Sequence, residues 1–198
     1  MNIHNSFAKF IFSSTFPFFH ILFFLTFAKN EFLYYLITSI ENQISQNMIA
    51  QELLNPKSIV VVGASGDTHK PGGSVLKNLI NSNFKGEIYT VNPKETEVQG
   101  IKCFQKVDDL PQVDCAIIAI AAKYCPATVN TLAFEKGTKG FIIVSAGFGE
   151  ENEQGAEFER QIVETVNKVG GSLIGPNCTG FLNRNYCGAF DAPIPTLD

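Results

Sequence analysis

Gly63 and Gly66 stand directly behind a β-branched run, Ile59-Val60-Val61-Val62, and Gly72-Gly73 follow at the start of an amphipathic stretch. Glycine after a strand lets backbone N–H groups approach a phosphate, and a helix that begins there favours the negative charge. The dinucleotide fingerprint G-x-G-x-x-G is not met, because Ser65 occupies the position two residues after Gly63. A tight strand–helix turn without a ligand is the alternative reading. The next strand-like run ends in Val91-Asn92-Pro93-Lys94. An NAD-binding unit places a carboxylate at that tip to accept the ribose hydroxyls; here a lysine follows instead. A cation in this place suits a phosphate carried on the ribose, as in coenzyme A or NADP. Glu95 tempers that charge, and a solvated surface lysine is the plainer reading.

Other reactive residue types are less informative. His69 is the only histidine after residue 20, and no Asp/Ser arrangement around it suggests a triad. Cys178 lies in a Gly/Pro loop with no base partner to depress its pKa, so a small packing residue is expected rather than a nucleophile. Glu150, Glu151 and Glu153 precede a helix, where the macrodipole favours acidic side chains.

The elements that must carry these residues follow from the hydrophobic pattern. Ile59–Val62, Ile88–Val91, Asp114–Ile120, Gly140–Val144 and Ser172–Ile174 are apolar runs of strand length, most without the alternation of a one-sided sheet. Between them, Ser74–Asn83 places Val75, Leu76, Leu79 and Ile80 at helical spacing. Pro126 suits the first turn of a further helix, and residues 152–169 align Phe158, Ile162, Val166 and Val169 on one face. This alternation predicts an α/β fold, a Rossmann-like doubly wound parallel sheet with right-handed crossovers. Ligands of such sheets bind outside the carboxyl ends of the strands, here Gly63–Gly73, Asn92–Lys94, Ala121–Lys123, Ser145–Gly149 and Gly175–Gly180.

Composition excludes several classes and divides the chain. With 15 Lys+Arg against 19 Asp+Glu and no basic run, the net charge of −4 argues against a nucleic-acid surface. Five cysteines without a C-x-x-C pair fit neither a zinc ribbon nor a disulfide scaffold, and their odd number points to a reducing, cytoplasmic setting. Residues 1–47 hold ten of the eighteen Phe and no Gly, whereas all sixteen Gly lie beyond them. The uncharged residues 10–28 are long enough for a membrane anchor, but Pro17 and His20 interrupt them. A cleaved signal peptide lacks its small-x-small site here. The third alternative is that translation starts at Met48 and that the Phe-rich stretch is read from AT-rich non-coding DNA.

Asn55-Pro56-Lys57-Ser58 leading into the first strand and Gly63-Ala64-Ser65, then Val91-Asn92-Pro93-Lys94, Ser145-Ala146-Gly147-Phe148 and Ile174-Gly175-Pro176-Asn177-Cys178-Thr179-Gly180, occur in order at successive strand ends. In this the chain resembles the N-terminal coenzyme A-binding domain of nucleoside-diphosphate-forming acyl-CoA synthetases. The ADP-forming acetate–CoA ligase is the closest type, and the succinyl-CoA synthetase alpha subunit is more distant. The resemblance implies that Ser65, Gly66, Asp67 and Thr68 lie along the nucleotide's phosphates, with Lys94 at the adenosine end and Val144, Ser145 and Ala146 lining its course. The 175–180 loop, with Pro176 and Asn177, then faces the thiol, and Gly63 completes the set; no catalytic or metal-binding residue is expected.

Such enzymes run acyl-CoA + ADP + phosphate ⇌ acid + ATP + CoA through a phosphohistidine in a following domain. None of His4, His20 and His69 stands where that histidine should, and no ATP-grasp region is present. The expectation is therefore a domain that binds coenzyme A and acyl-CoA but does not catalyse the ligase reaction alone, needing ligase and ATP-grasp domains from the same or another chain. A free-standing CoA- or NADP-responsive module is the alternative. The expected division is 1–47 as the extension, 48–175 as the coenzyme A-binding domain and 176–198 as the start of the next domain.

Overall fold

In the computed structural model the described residues are 49–190 other than Asn83. The Phe-rich stretch, Met48 and the last eight residues lie outside them, so the anchor and start-site readings do too. The elements in chain order are α1 (Gln51–Leu54), β1 (Ser58–Val62), α2 (Pro71–Asn81), β2 (Glu87–Val91), β3 (Glu97–Val98), β4 (Ile101–Phe104), β5 (Cys115–Ile118), α3 (Cys125–Glu135), β6 (Gly140–Ile143), α4 (Glu153–Lys168) and β7 (Ser172–Ile174).

The seven strands form one sheet in the order β3-β4-β2-β1-β5-β6-β7. All neighbours are parallel except β3 and β4, which pair as an antiparallel hairpin. The chain winds outward from β1 through β2 to β4, then returns to the other side of β1 with β5 and winds outward again through β6 and β7. The point where the winding reverses, between β1 and β5, is where a crevice opens above a doubly wound sheet. The expected Rossmann-like α/β architecture is thus present.

The unbroken apolar runs mark the strands covered on both faces. All five residues of β1 and all four of β5 and β6 are buried. Val60 and Val62 face α3 and α4, joined there by Ile118, Phe141, Ile143, Leu132 and Ile162. Ile59 and Val61 face the opposite way, onto Val75, Leu76 and Leu79 of α2, with Ile117, Ile142 and Tyr186. Successive strand residues point to opposite faces, so two separate cores are built from one run of β-branched side chains.

Helix α1 and strands β3 and β4 are absent from the pattern read in the sequence, and helix α2 starts earlier than that pattern. Helix α2 begins at Pro71, three residues before the apolar periodicity, because Pro71 is suited to the first turn and Gly72 and Gly73 enter the helix without side chains. Both glycines lie against backbone: a Cβ on Gly72 would sit 2.1 Å from the Gly63 carbonyl oxygen, and one on Gly73 would sit 2.0 Å from that of Asp67. Strand β3 is two residues long, with only Val98 buried, too short for periodicity to reveal.

After β7 the chain turns back over the α2 face. The Tyr186 hydroxyl donates to the Leu53 carbonyl at 2.7 Å, and its ring meets Phe84 and Phe181 with centroids 6.1 and 5.7 Å apart. The Ser74 hydroxyl and the Asn78 amide on α2 donate to the carbonyls of Phe190 and Ala189. Residues 176–190 therefore pack with the sheet that precedes them.

Candidate functional site

The site residues named from the sequence all lie at the carboxyl edge of the sheet, and backbone contacts join the strand ends to one another. The Gly63 N–H donates to the Val91 carbonyl, while Gly63 itself closes against Ala119 and Ile120, just beyond β5. Its φ of +86° lies in the left-handed region, and a Cβ there would stand 2.4 Å from the Ala119 oxygen. Only glycine permits both at once. On the other side of the reversal, the Asn177 N–H donates to the Ser145 carbonyl at 2.9 Å. This brings the Gly-Pro-Asn loop, with its cis Gly175–Pro176 bond and left-handed Asn177, beside Ser145.

Residues 64–70 form a loop folded by its own side chains. The Ser65 hydroxyl accepts from the Asp67 N–H at 3.1 Å, and the Asp67 carboxylate accepts from the His69 N–H at 3.0 Å. Gly66 and Asp67 are exposed, and a Cβ on Gly66 would meet nothing within 4 Å. Among the described residues no protein acceptor takes the N–H of Gly66 or Thr68. The loop runs into the N-terminus of the eleven-residue helix α2, where no side chain caps the first turn. Unclaimed N–H groups, an uncapped helix start and open space at a glycine suit a phosphate.

Asn92 and Gln99 are the polar residues that hold this loop, and the sequence reading gave neither a role there. The Asn92 amide donates to the Ala64 carbonyl at 2.8 Å, and its oxygen accepts from the Lys94 N–H at 2.9 Å. The β2 tip that carries Lys94 is thereby tied to the loop, and the Lys94 side chain is exposed. The Gln99 amide donates to the carbonyls of both Ser65 and Gly73, each at 2.9 Å. Gln99 lies in the two-residue turn between β3 and β4, which the shortness of β3 hides from the sequence pattern.

Val144 is buried at the end of β6, Ser145 is half-buried and Ala146 is exposed, so these three descend from the crevice into the core. Cys178 points inward: its thiol lies 3.3 Å from the Ile143 carbonyl oxygen, and burial raises its pKa above the ordinary 9.0. It is held as a protonated packing group, as its setting in the sequence suggested. His69 is exposed and, among the described residues, bonds only through its backbone. Glu150 acts differently from the expected helix-start carboxylate. It accepts from the N–H groups of Gly147 and Phe148, which lowers its pKa, while Asn152 caps α4 by accepting from Gly155.

Among the described residues no group of three or more His, Cys, Asp or Glu side chains is placed to hold a metal, and all five cysteines are free thiols. No described helix is long and apolar enough to cross a membrane. A cleft of about 610 Å³ lies at the amino-terminal edge of the sheet, lined by Lys57, Lys85, Glu87 and Arg184 among others. It contains none of the strand-end loops.

A doubly wound sheet with a glycine-bearing loop at its switch point defines a nucleotide-binding α/β domain. The comparisons with known proteins narrow that class. The chain belongs to the family described as the CoA binding domain, which matches residues 57–184. It is 46% identical over 134 residues to acetate–CoA ligase [ADP-forming] II of Archaeoglobus fulgidus, a match covering 67% of this chain and 20% of that protein. The alpha subunit of acetate–CoA ligase [ADP-forming] II from Pyrococcus furiosus is 45% identical over 132 residues, covering 66% of this chain and 28% of the subunit. The solved dinucleotide-forming acetyl-coenzyme A synthetase 1 of Ca. Korarchaeum cryptofilum, in complex with phosphate and ADP, superimposes with a TM-score of 0.66. Its sequence identity is 35%, over 73% of this chain and 32% of that one. The chain thus spans between a fifth and a third of the length of these proteins, and matches the coenzyme A-binding part of ADP-forming acetate–CoA ligases.

Proposed function

We propose that this chain grips coenzyme A across its strand-end loops on behalf of an ADP-forming acyl-CoA ligase that converts acyl-CoA, ADP and phosphate to acid, ATP and CoA. The observation that carries the assignment of sites is the 64–70 loop, whose unclaimed Gly66 and Thr68 N–H groups flank open space at the switch point. In this reading Gly63, Ser65, Gly66, Asp67 and Thr68 follow the diphosphate. Lys94, on the tip tied to the loop by Asn92, meets the ribose phosphate. Val144, Ser145 and Ala146 line the passage toward Pro176 and Asn177, where the thiol emerges. The acyl-phosphate chemistry belongs to ligase and ATP-grasp domains that act with this one, and acetate is the default acid. Five free thiols support a cytoplasmic, reducing setting.

Calorimetry on the full chain tests the assignment. Coenzyme A is expected to bind with micromolar-to-millimolar affinity, and dephospho-CoA more weakly. An exposed ion pair contributes up to ~1 kcal/mol, so Lys94→Ala should lose about fivefold for CoA and nothing for dephospho-CoA. Failure of folded protein to bind CoA, or tighter binding of NADP in competition, would defeat the reading.

A further inference from the structure

Gln99 occupies a position that disfavours it. It forms, with Gly100, the two-residue turn between β3 and β4, and both have positive φ, +52° and +82°. Such turns select Asn, Asp or Gly at the first position, since a longer side chain has no local hydrogen bond to offset the left-handed backbone. What Gln99 has instead is reach. Its Nε2 carries two hydrogens, and each is directed at a carbonyl, Ser65 and Gly73, both at 2.9 Å. Because both partners are acceptors, the amide nitrogen must face them. Asparagine would ease the turn but is one methylene shorter.

The two carbonyls lie at opposite ends of the loop, one behind β1 and one in the first turn of α2. Since a trans peptide points its C=O and N–H in opposite directions, capture of the Ser65 carbonyl turns the Gly66 N–H away from the β3–β4 hairpin. Asn92 does the same to the preceding peptide by holding the Ala64 carbonyl. The peptides that carry two successive N–H groups, of Ser65 and Gly66, are therefore each held by a side-chain amide from the neighbouring strand edge.

We propose that Gln99 is a positioning residue for the coenzyme A loop, tying Ser65 to Gly73 so that the Gly66 N–H is presented to the ligand's phosphates. The proposal rests on the coenzyme A reading given above. Gln99 touches no ligand itself and acts through the loop it closes.

The test compares wild type with Gln99→Gly and Gln99→Met in the full chain. Glycine relieves the left-handed turn and removes the amide; methionine keeps the length and the backbone strain without a donor. Both should weaken CoA binding by about five- to tenfold, the worth of two hydrogen bonds to a preorganised loop. Both should also speed hydrogen exchange at the Asp67 and His69 amides in ligand-free protein. Thermal stability should be unchanged or raised in Gln99→Gly, which a purely structural role would not produce. Unchanged CoA affinity in both variants, with wild type binding, overturns the proposal. If wild type fails to bind CoA, the functional reading falls with it. Amide exchange then judges the tie alone, and unaltered exchange in both variants would refute it.

Discussion

Replacing Tyr186 with phenylalanine should destabilise the domain by about 1–3 kcal/mol, the cost of leaving a buried carbonyl without its donor. Tyr186 is 1% exposed, and its hydroxyl donates to the Leu53 carbonyl at 2.7 Å. The acceptor is a backbone group, so no compensating apolar replacement exists for it. The phenylalanine ring retains its contacts with Phe84 and Phe181, which confines the loss to the hydroxyl. Tyr186→Ala removes those contacts as well and should cost about 3–5 kcal/mol. For a domain of this size about 2 kcal/mol corresponds to a fall in Tm of roughly 4–8 °C. The chain has no Trp, so urea unfolding would be followed by circular dichroism, with unchanged slope confirming that only stability moved. A loss below about 0.5 kcal/mol for Tyr186→Phe together with less than about 1 kcal/mol for Tyr186→Ala would refute the docking of residues 176–190 described above.

Two further outcomes follow from the geometry. Gly63→Ala should cost about 3 kcal/mol or more in urea unfolding, from the left-handed backbone and from a Cβ driven against Ala119; a loss under about 1 kcal/mol would show that the β1 turn is not held as described. Burial pushes the Cys115 and Cys125 thiols up to about 12 from 9.0. Folding therefore favours the protonated thiols: their contribution is complete below pH 9 and is lost as pH rises from 9 toward 12. Unfolding free energies measured at pH 8 and 10.5 should show that decline, and a Cys115→Ala/Cys125→Ala double variant should reduce it, the remainder coming from Cys178, Cys187 and Tyr186, whose pKa values burial also raises.

Much of the architecture was legible because burial on both faces demands a particular residue pattern. Ile59–Val62 has no alternation since one half of it packs on α2 and the other half on α3 and α4. The strand-end loops were equally legible, because Gly, Asn, Ser and Pro collect where the backbone must turn sharply at the sheet edge. Helix α4 showed in its apolar face and in Glu153 of its first turn, whereas Glu150 satisfies Gly147 and Phe148 instead and Asn152 is the cap. Both roles are compatible with acidic and amide residues at those positions, and only the fold of the loop separates them.

By itself, then, the sequence determined the alternation of central strands and helices, the loops available to a ligand and the family motifs at their tips, since each depends on residues within one short segment. What only the tertiary structure decided is how those loops are held. Gln99 reaches back to residues 34 and 26 positions earlier in the chain, and Tyr186 to one 133 positions earlier. Hydrogen bonds of that span leave no periodicity and no local motif. They exist only once the sheet has brought distant segments side by side.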